Sequence, residues 1–192
     1  LISSAIIEDI KHVLEERSAL IPDHYFDYKD TSKRHVRVLL ASLLFQLSDD
    51  SNRCCDVLRQ LYNKCRNGSE RPSETALAGG LKAMLKIPGQ VPVFIIVDAL
   101  DECSNTTGTP SPRDEVLQFV KDLVGSSHLN LFLCITSRPE QVIQTVLNPL
   151  ISASYRVALH EESGQREDID RFVRAFVHTD SAMRRWREED KE

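Results

Sequence analysis

The 192 residues are too few for two domains of ordinary size, and 41% apolar with 28% charged residues describes one packed, soluble globular chain. Seven glycines and eight prolines exclude collagen-like and largely disordered readings. Arg and Lys number 24 against 29 Asp and Glu, a net charge of −5 that argues against nucleic-acid binding, for which a basic face is the first requirement.

No apolar run approaches the ~18 to 20 residues that a membrane-spanning helix needs, and the start of the chain lacks the charged head and small-residue cleavage site of a signal peptide. A cytoplasmic location without a membrane partner is expected. The five cysteines are odd in number and show no CxxC spacing, so they are expected to be reduced and mostly buried rather than bridged or zinc-bound. The six histidines share no ligand spacing. Asn67-Gly-Ser and Asn105-Thr-Thr match the glycosylation pattern by chance.

Leu1 to Leu14 carries apolar residues at Ile2, Ile6, Ile10, Val13 and Leu14, near helical spacing, with no cap or turn ahead of it. The chain is therefore expected to be a fragment that opens inside a helix. His24 to Lys29 alternates like a strand, and Asp30 to Lys33 breaks it with capping residues. From His35 to Leu47 a helix places Val36, Leu39, Leu40, Leu43, Leu44 and Leu47 on one face, a stripe expected to be core. Two more amphipathic pieces, Cys54 to Cys65 and Ser73 to Leu85, flank the loop Arg66 to Pro72.

Val93 to Val97 is different in character: five consecutive apolar, mainly β-branched residues suit a strand buried on both faces of a parallel sheet. It ends in Asp98-Ala-Leu-Asp-Glu102. A polar loop, Ser104 to Arg113, leads to a helix from Asp114 to Val124, and Leu131 to Ile135 repeats the continuous apolar pattern. Strand, crossover helix and strand make a βαβ unit. Thr136 to Pro139 closes the second strand, Glu140 to Leu147 is helical, and Ser154 to Leu159 offers one more strand. Asp168 to Trp186 is helical by pattern, with a charged tail from Arg184 to Glu192. The expectation is an open parallel α/β sheet with ligands outside the carboxyl ends of its strands, where Asp98 and Thr136 to Arg138 lie.

A dry strand that delivers three carboxylates within five residues costs desolvation unless a cation or water meets them. Magnesium, held by one or two carboxylates plus phosphates and waters, suits one leading Asp. Asp98 is the candidate metal residue. Asp101 and Glu102 are the candidates to orient or deprotonate a water attacking a terminal phosphate, and small Ala99 leaves room for close approach.

Phe94 to Cys103, together with Leu131 to Pro139, resembles the Walker B and sensor segments of NACHT-family P-loop NTPases of the STAND class. The likeness is to the large fungal group similar to the nephrocystin-like N-terminal domain. Ser4 to Ile10 resembles the helix after the phosphate loop in that group, and His24 to Tyr28 with Leu39 to Leu44 resembles its second strand and following helix. The resemblance implies a three-layer P-loop NTPase-like parallel sheet, with residues 1–160 a partial nucleotide-binding domain and 161–192 the start of a helical segment. It implies a signalling switch that binds and hydrolyses ATP or GTP with Mg2+. Arg138 would read the terminal phosphate and Thr136 would sit beside the nucleotide, the planar guanidinium suiting phosphate oxygens. Intact members resemble fungal immune-type receptors. Their effector and repeat domains meet protein partners, and a nucleotide-dependent oligomer is expected of them.

GxxxxGK(S/T) occurs nowhere, since none of the seven glycines is followed by Lys. The backbone cradle and the phosphate-binding Lys are thereby missing from these 192 residues. The first strand and phosphate loop are therefore expected upstream, and these 192 residues are expected to bind ATP poorly and to hydrolyse none. By the same resemblance the missing strand lies between those at Ile135 and at Ser154 to Leu159. Its loss leaves two edges unpaired, and poor solubility is expected. Two alternatives stand beside the switch: a nucleotide-free interaction scaffold or degraded remnant of the same fold, and, with less support, a metal-dependent hydrolase.

Overall fold

The computed structural model describes residues 2–13, 19–30, 35–105, 110–126, 130–158 and Arg171, the side chains of 2–5 and 11 excepted. The chain divides into two units, Leu1–Leu150 and Ile151–Glu192.

In the first unit, α1 (Ile2–Val13) precedes β1 (Asp23–Tyr25), and a helical block follows: α2 (Val36–Asp50), α3 (Asn52–Lys64) and α4 (Glu74–Leu85). Then come β2 (Val93–Asp98), a 3-10 turn (Leu100–Glu102), α5 (Pro112–Val124), β3 (Leu131–Ile135), α6 (Gln141–Leu147) and a second 3-10 turn (Asn148–Leu150). The sheet is small, open and wholly parallel, in the order β1-β2-β3. The expected α/β class and parallel sheet are thus present. The expected strand from His24 to Lys29 is shorter, Asp23–Tyr25, with an isolated parallel bridge from Leu20 to Val93 ahead of it.

The register explains which side chains meet. Val93, Ile95 and Val97 align with Leu131, Leu133 and Ile135, and in a parallel pair aligned residues share a face. That face enters one core with the stripe of α2, with Leu77, Leu81 and Met84 of α4, and with Val116, Val120 and Leu123 of α5. The opposite face carries Phe94, Ile96 and Asp98 beside Phe132 and Cys134. Ile96 is fully buried there, whereas Phe94 stacks on a half-exposed Phe132 at 4.6 Å between ring centroids.

Helix starts follow local capping chemistry. Ser73 caps α4 by accepting the Ala76 N–H at 3.1 Å. At α5, Ser111 and Asp114 cap each other reciprocally, with Pro112 at the first helical position. At Gly80 a Cβ would stand 3.4 Å from a Leu44 methyl and 3.5 Å from one of Leu61, ordinary van der Waals contact, so packing there does not demand glycine.

The second unit corrects one expectation. Residues 154–158 form no strand: Ala153–Tyr155 is a 3-10 turn, Tyr155 and Val157 are exposed, and Leu159 lies outside the described residues. Alternating apolar residues mark a strand only where a partner strand accepts their backbone groups. The helix expected over Asp168 to Trp186 lies outside the described residues apart from Arg171. The described sheet therefore has β1 and β3 as its two edge strands, and residues 154–158 supply no further strand.

Candidate functional site

All five expected site residues gather at the carboxyl ends of β2 and β3. Asp98 is the last residue of β2, and Thr136 follows β3 directly. The Thr136 hydroxyl donates to Oδ1 of Asp98 and accepts the Ala99 N–H at 3.0 Å. The Thr136 backbone extends the ladder in both directions, its N–H donating to the Val97 carbonyl at 2.9 Å and its carbonyl accepting from Leu100 at 3.0 Å. Between them Ala99 adopts a left-handed conformation, φ +55°, and turns the chain sharply into the Leu100–Glu102 turn.

That turn aims the next two acids in different directions. Asp101 faces the loop after β3: Oδ1 accepts the Arg138 N–H at 3.0 Å, and Oδ2 lies 3.5 Å from Arg138 Nε. The Asp101 side chain is only 9% exposed while that of Arg138 is 82% exposed, so the guanidinium reaches outward from a buried anchor. Glu102 faces the loop after β1, where Oε2 accepts the Tyr28 N–H at 3.0 Å.

Negative charge is concentrated on this rim. Tyr25, aligned with Asp98 across the sheet, has its phenol pKa raised, first by the charge of Glu102, then by burial and by Asp27 and Asp98. Burial and then the charge of Asp98 push the Cys134 thiol up as well. Among the described residues no three of His, Cys, Asp and Glu converge closely enough to enclose a metal ion by themselves.

Two residues of the site escaped sequence reasoning. Tyr25 stood within an expected strand, but only the register brings it beside Asp98. Arg113 was assigned to a loop, yet it belongs to the first turn of α5 and is 5% exposed. Its Nε donates to the Cys103 carbonyl at 3.0 Å, and its two terminal nitrogens donate to the Asp101 carbonyl and to Glu140. The signal was present in Ser111-Pro-Arg-Asp114, a cap followed three residues later by an acid, which starts the helix before Arg113.

A family model described as Nephrocystin 3, N-terminal, matches residues 1–138. The chain belongs to that family. The nephrocystin 3 N-terminal match takes in α1 to α5 and β1 to β3, and it ends at Arg138, so all five expected site residues lie inside it while Glu140 falls just beyond. No curated protein and no solved structure matches the chain. Among the described residues, no helix of this nephrocystin 3 N-terminal chain is long and apolar enough to cross a membrane.

Proposed function

We propose that the chain is part of a signal-transducing nucleotide-binding switch of the NACHT type, in which the β2 and β3 strand ends read magnesium-bound ATP or GTP. One observation carries the reading: a carboxylate, Asp98, bound by the Thr136 hydroxyl, and an outward guanidinium, Arg138, beside Asp101, follow from the ends of adjacent strands. Opposite charges on neighbouring loops match the two parts of a metal-triphosphate, the cation and the terminal phosphate.

The donor chemistry fits a hard cation. Asp98 and Thr136 offer oxygen only, and the crowding of Asp27, Asp98 and Glu102 around Tyr25 is relieved by positive charge. Asp98 would hold magnesium with phosphate and water completing the shell, since among the described residues too few acids converge for a protein cage. Magnesium there would neutralise charge on the phosphate oxygens. Asp101 holds the Arg138 loop through its carboxylate, and in this role it orients the cation that reads the phosphate. Glu102, bound to the Tyr28 N–H, is the acid placed to align a water.

The test is an amide-resolved titration of the chain with magnesium ATP and magnesium GTP. Shifts confined to Asp98 to Glu102 and Thr136 to Arg138, and reduced by Asp98→Asn, support the reading. A flat response at millimolar nucleotide favours the nucleotide-free scaffold instead. In a form carrying GxxxxGK(S/T) ahead of Leu1, Asp98→Ala should weaken magnesium-dependent binding, while Glu102→Gln should spare binding and slow hydrolysis.

A further inference from the structure

We propose that Arg113 is a positioning residue for Arg138, locking the loop that carries the phosphate-reading guanidinium to the tip of β2 without touching ligand itself. This rests on the reading of Arg138 given above.

Four hydrogen bonds close a ring through these loops. One terminal nitrogen of Arg113 donates to the Asp101 carbonyl, and the Asp101 carboxylate accepts the Arg138 N–H at 3.0 Å. The Arg138 carbonyl accepts the Glu140 N–H at 2.8 Å, and the Glu140 carboxylate accepts the other terminal nitrogen of Arg113. Nε of Arg113 adds the Cys103 carbonyl, and its own N–H donates to Ser104 at 3.1 Å. The capping box of Ser111 and Asp114 sets where α5 begins and hence where this guanidinium stands.

Stability alone is a weak reason for such a residue. An apolar side chain of similar volume commonly does as well in a buried site, and Glu140, 43% exposed, returns little Coulomb energy. What an apolar residue cannot do is bind three acceptors on two loops in one plane. A lysine cannot either, because its ammonium is a point charge without the fork. Arg113 therefore pins the Arg138 backbone while the Arg138 side chain stays free to exchange Asp101 for a phosphate oxygen.

The test uses the full chain, inorganic tripolyphosphate with magnesium as probe, and the variants Arg113→Lys, Glu140→Gln and Arg138→Ala. The Arg138 amide is followed by hydrogen exchange in the same samples, without probe. Arg113→Lys and Glu140→Gln should speed exchange of that amide and weaken tripolyphosphate binding about three- to tenfold, and Arg138→Ala should weaken it at least about tenfold. Glu140→Gln guards against a merely unfolded Arg113 variant, since it takes the charge off one link at a half-exposed site and leaves a weaker, neutral acceptor. If both variants leave the Arg138 amide as protected as in the parent, positioning is refuted, whatever the probe does. If the amide loosens but Arg138→Ala binds tripolyphosphate like the parent, positioning stands and the phosphate reading of Arg138 falls.

Discussion

The Thr136 hydroxyl joins two strand ends that stand 38 residues apart, accepting the Ala99 N–H and donating to the Asp98 carboxylate. One small side chain thereby orients the leading acid of the site and satisfies the backbone at the sharpest turn in it. Thr136→Val keeps the shape and leaves both partners without that hydroxyl, at a cost of roughly 1 to 3 kcal/mol. Chemical denaturation should show the loss for Val and recovery of most of it for Thr136→Ser.

Ala99 occupies the left-handed region at φ +55°, ψ +47°, which costs an L-residue roughly 1 to 2 kcal/mol. Gly removes that strain but adds freedom to the unfolded chain, worth about 0.4 to 1 kcal/mol the other way. Ala99→Gly should be neutral to slightly stabilising and Ala99→Val clearly destabilising. Thermal melts of the three proteins give the order, and a Val variant as stable as the parent contradicts the turn.

Glu102 is the leading cause of the raised Tyr25 phenol pKa. A folded-state pKa above the unfolded one means that the native chain binds more protons in between. The contribution is therefore intact below the ordinary tyrosine value near 10 and is lost as pH climbs through the folded value. Glu102→Gln should bring the Tyr25 titration down toward the ordinary range, read by phenolate absorbance against a Tyr25→Phe control. An unchanged curve would remove Glu102 from the neighbourhood of the ring.

The Ser111 hydroxyl and N–H both hold Asp114, and its carboxyl pKa is lowered by the side-chain bond first and the backbone bond second. Stability from that shift is present above the ordinary carboxylate value and fades as pH falls through the folded one. Ser111→Ala should cost about 1 kcal/mol at neutral pH and flatten the acid limb of the stability curve. Equal acid sensitivity in both proteins would refute it.

Leu43 and Phe45 separate core from surface on a single helix. Leu43 is fully buried and Phe45 is 67% exposed. Leu43→Ala should cost about 2 to 5 kcal/mol and Phe45→Ala within about 0.5 kcal/mol, by urea denaturation.

Much was legible in the chain itself wherever the signal is local and periodic. The stripe from Val36 to Leu47 is buried as its spacing demands, and α2 merely runs on to Asp50. Val93 to Val97 and Leu131 to Ile135 are the paired strands their continuous apolar runs announce. The cluster of Asp98, Asp101, Glu102, Thr136 and Arg138 was nameable because strand ends of a parallel sheet fall at one edge.

The rest depended on partners distant in sequence. Ser154 to Val157 alternates like a strand yet pairs with nothing in the described sheet, because strand formation is decided by a neighbour's hydrogen bonds rather than by side-chain pattern. The direction of each acid came from the left-handed turn at Ala99, which sends Asp101 toward Arg138 and Glu102 toward Tyr28. The role of Arg113 came from three acceptors on two loops, none within nine residues of it. Periodicity and chemical type are properties of neighbouring residues, so the sequence by itself determined the helices and buried strands with strong local pattern and the candidate acids. Register, burial of charge and hydrogen-bond pairing join residues tens of positions apart, so only the tertiary structure decided how those acids are held.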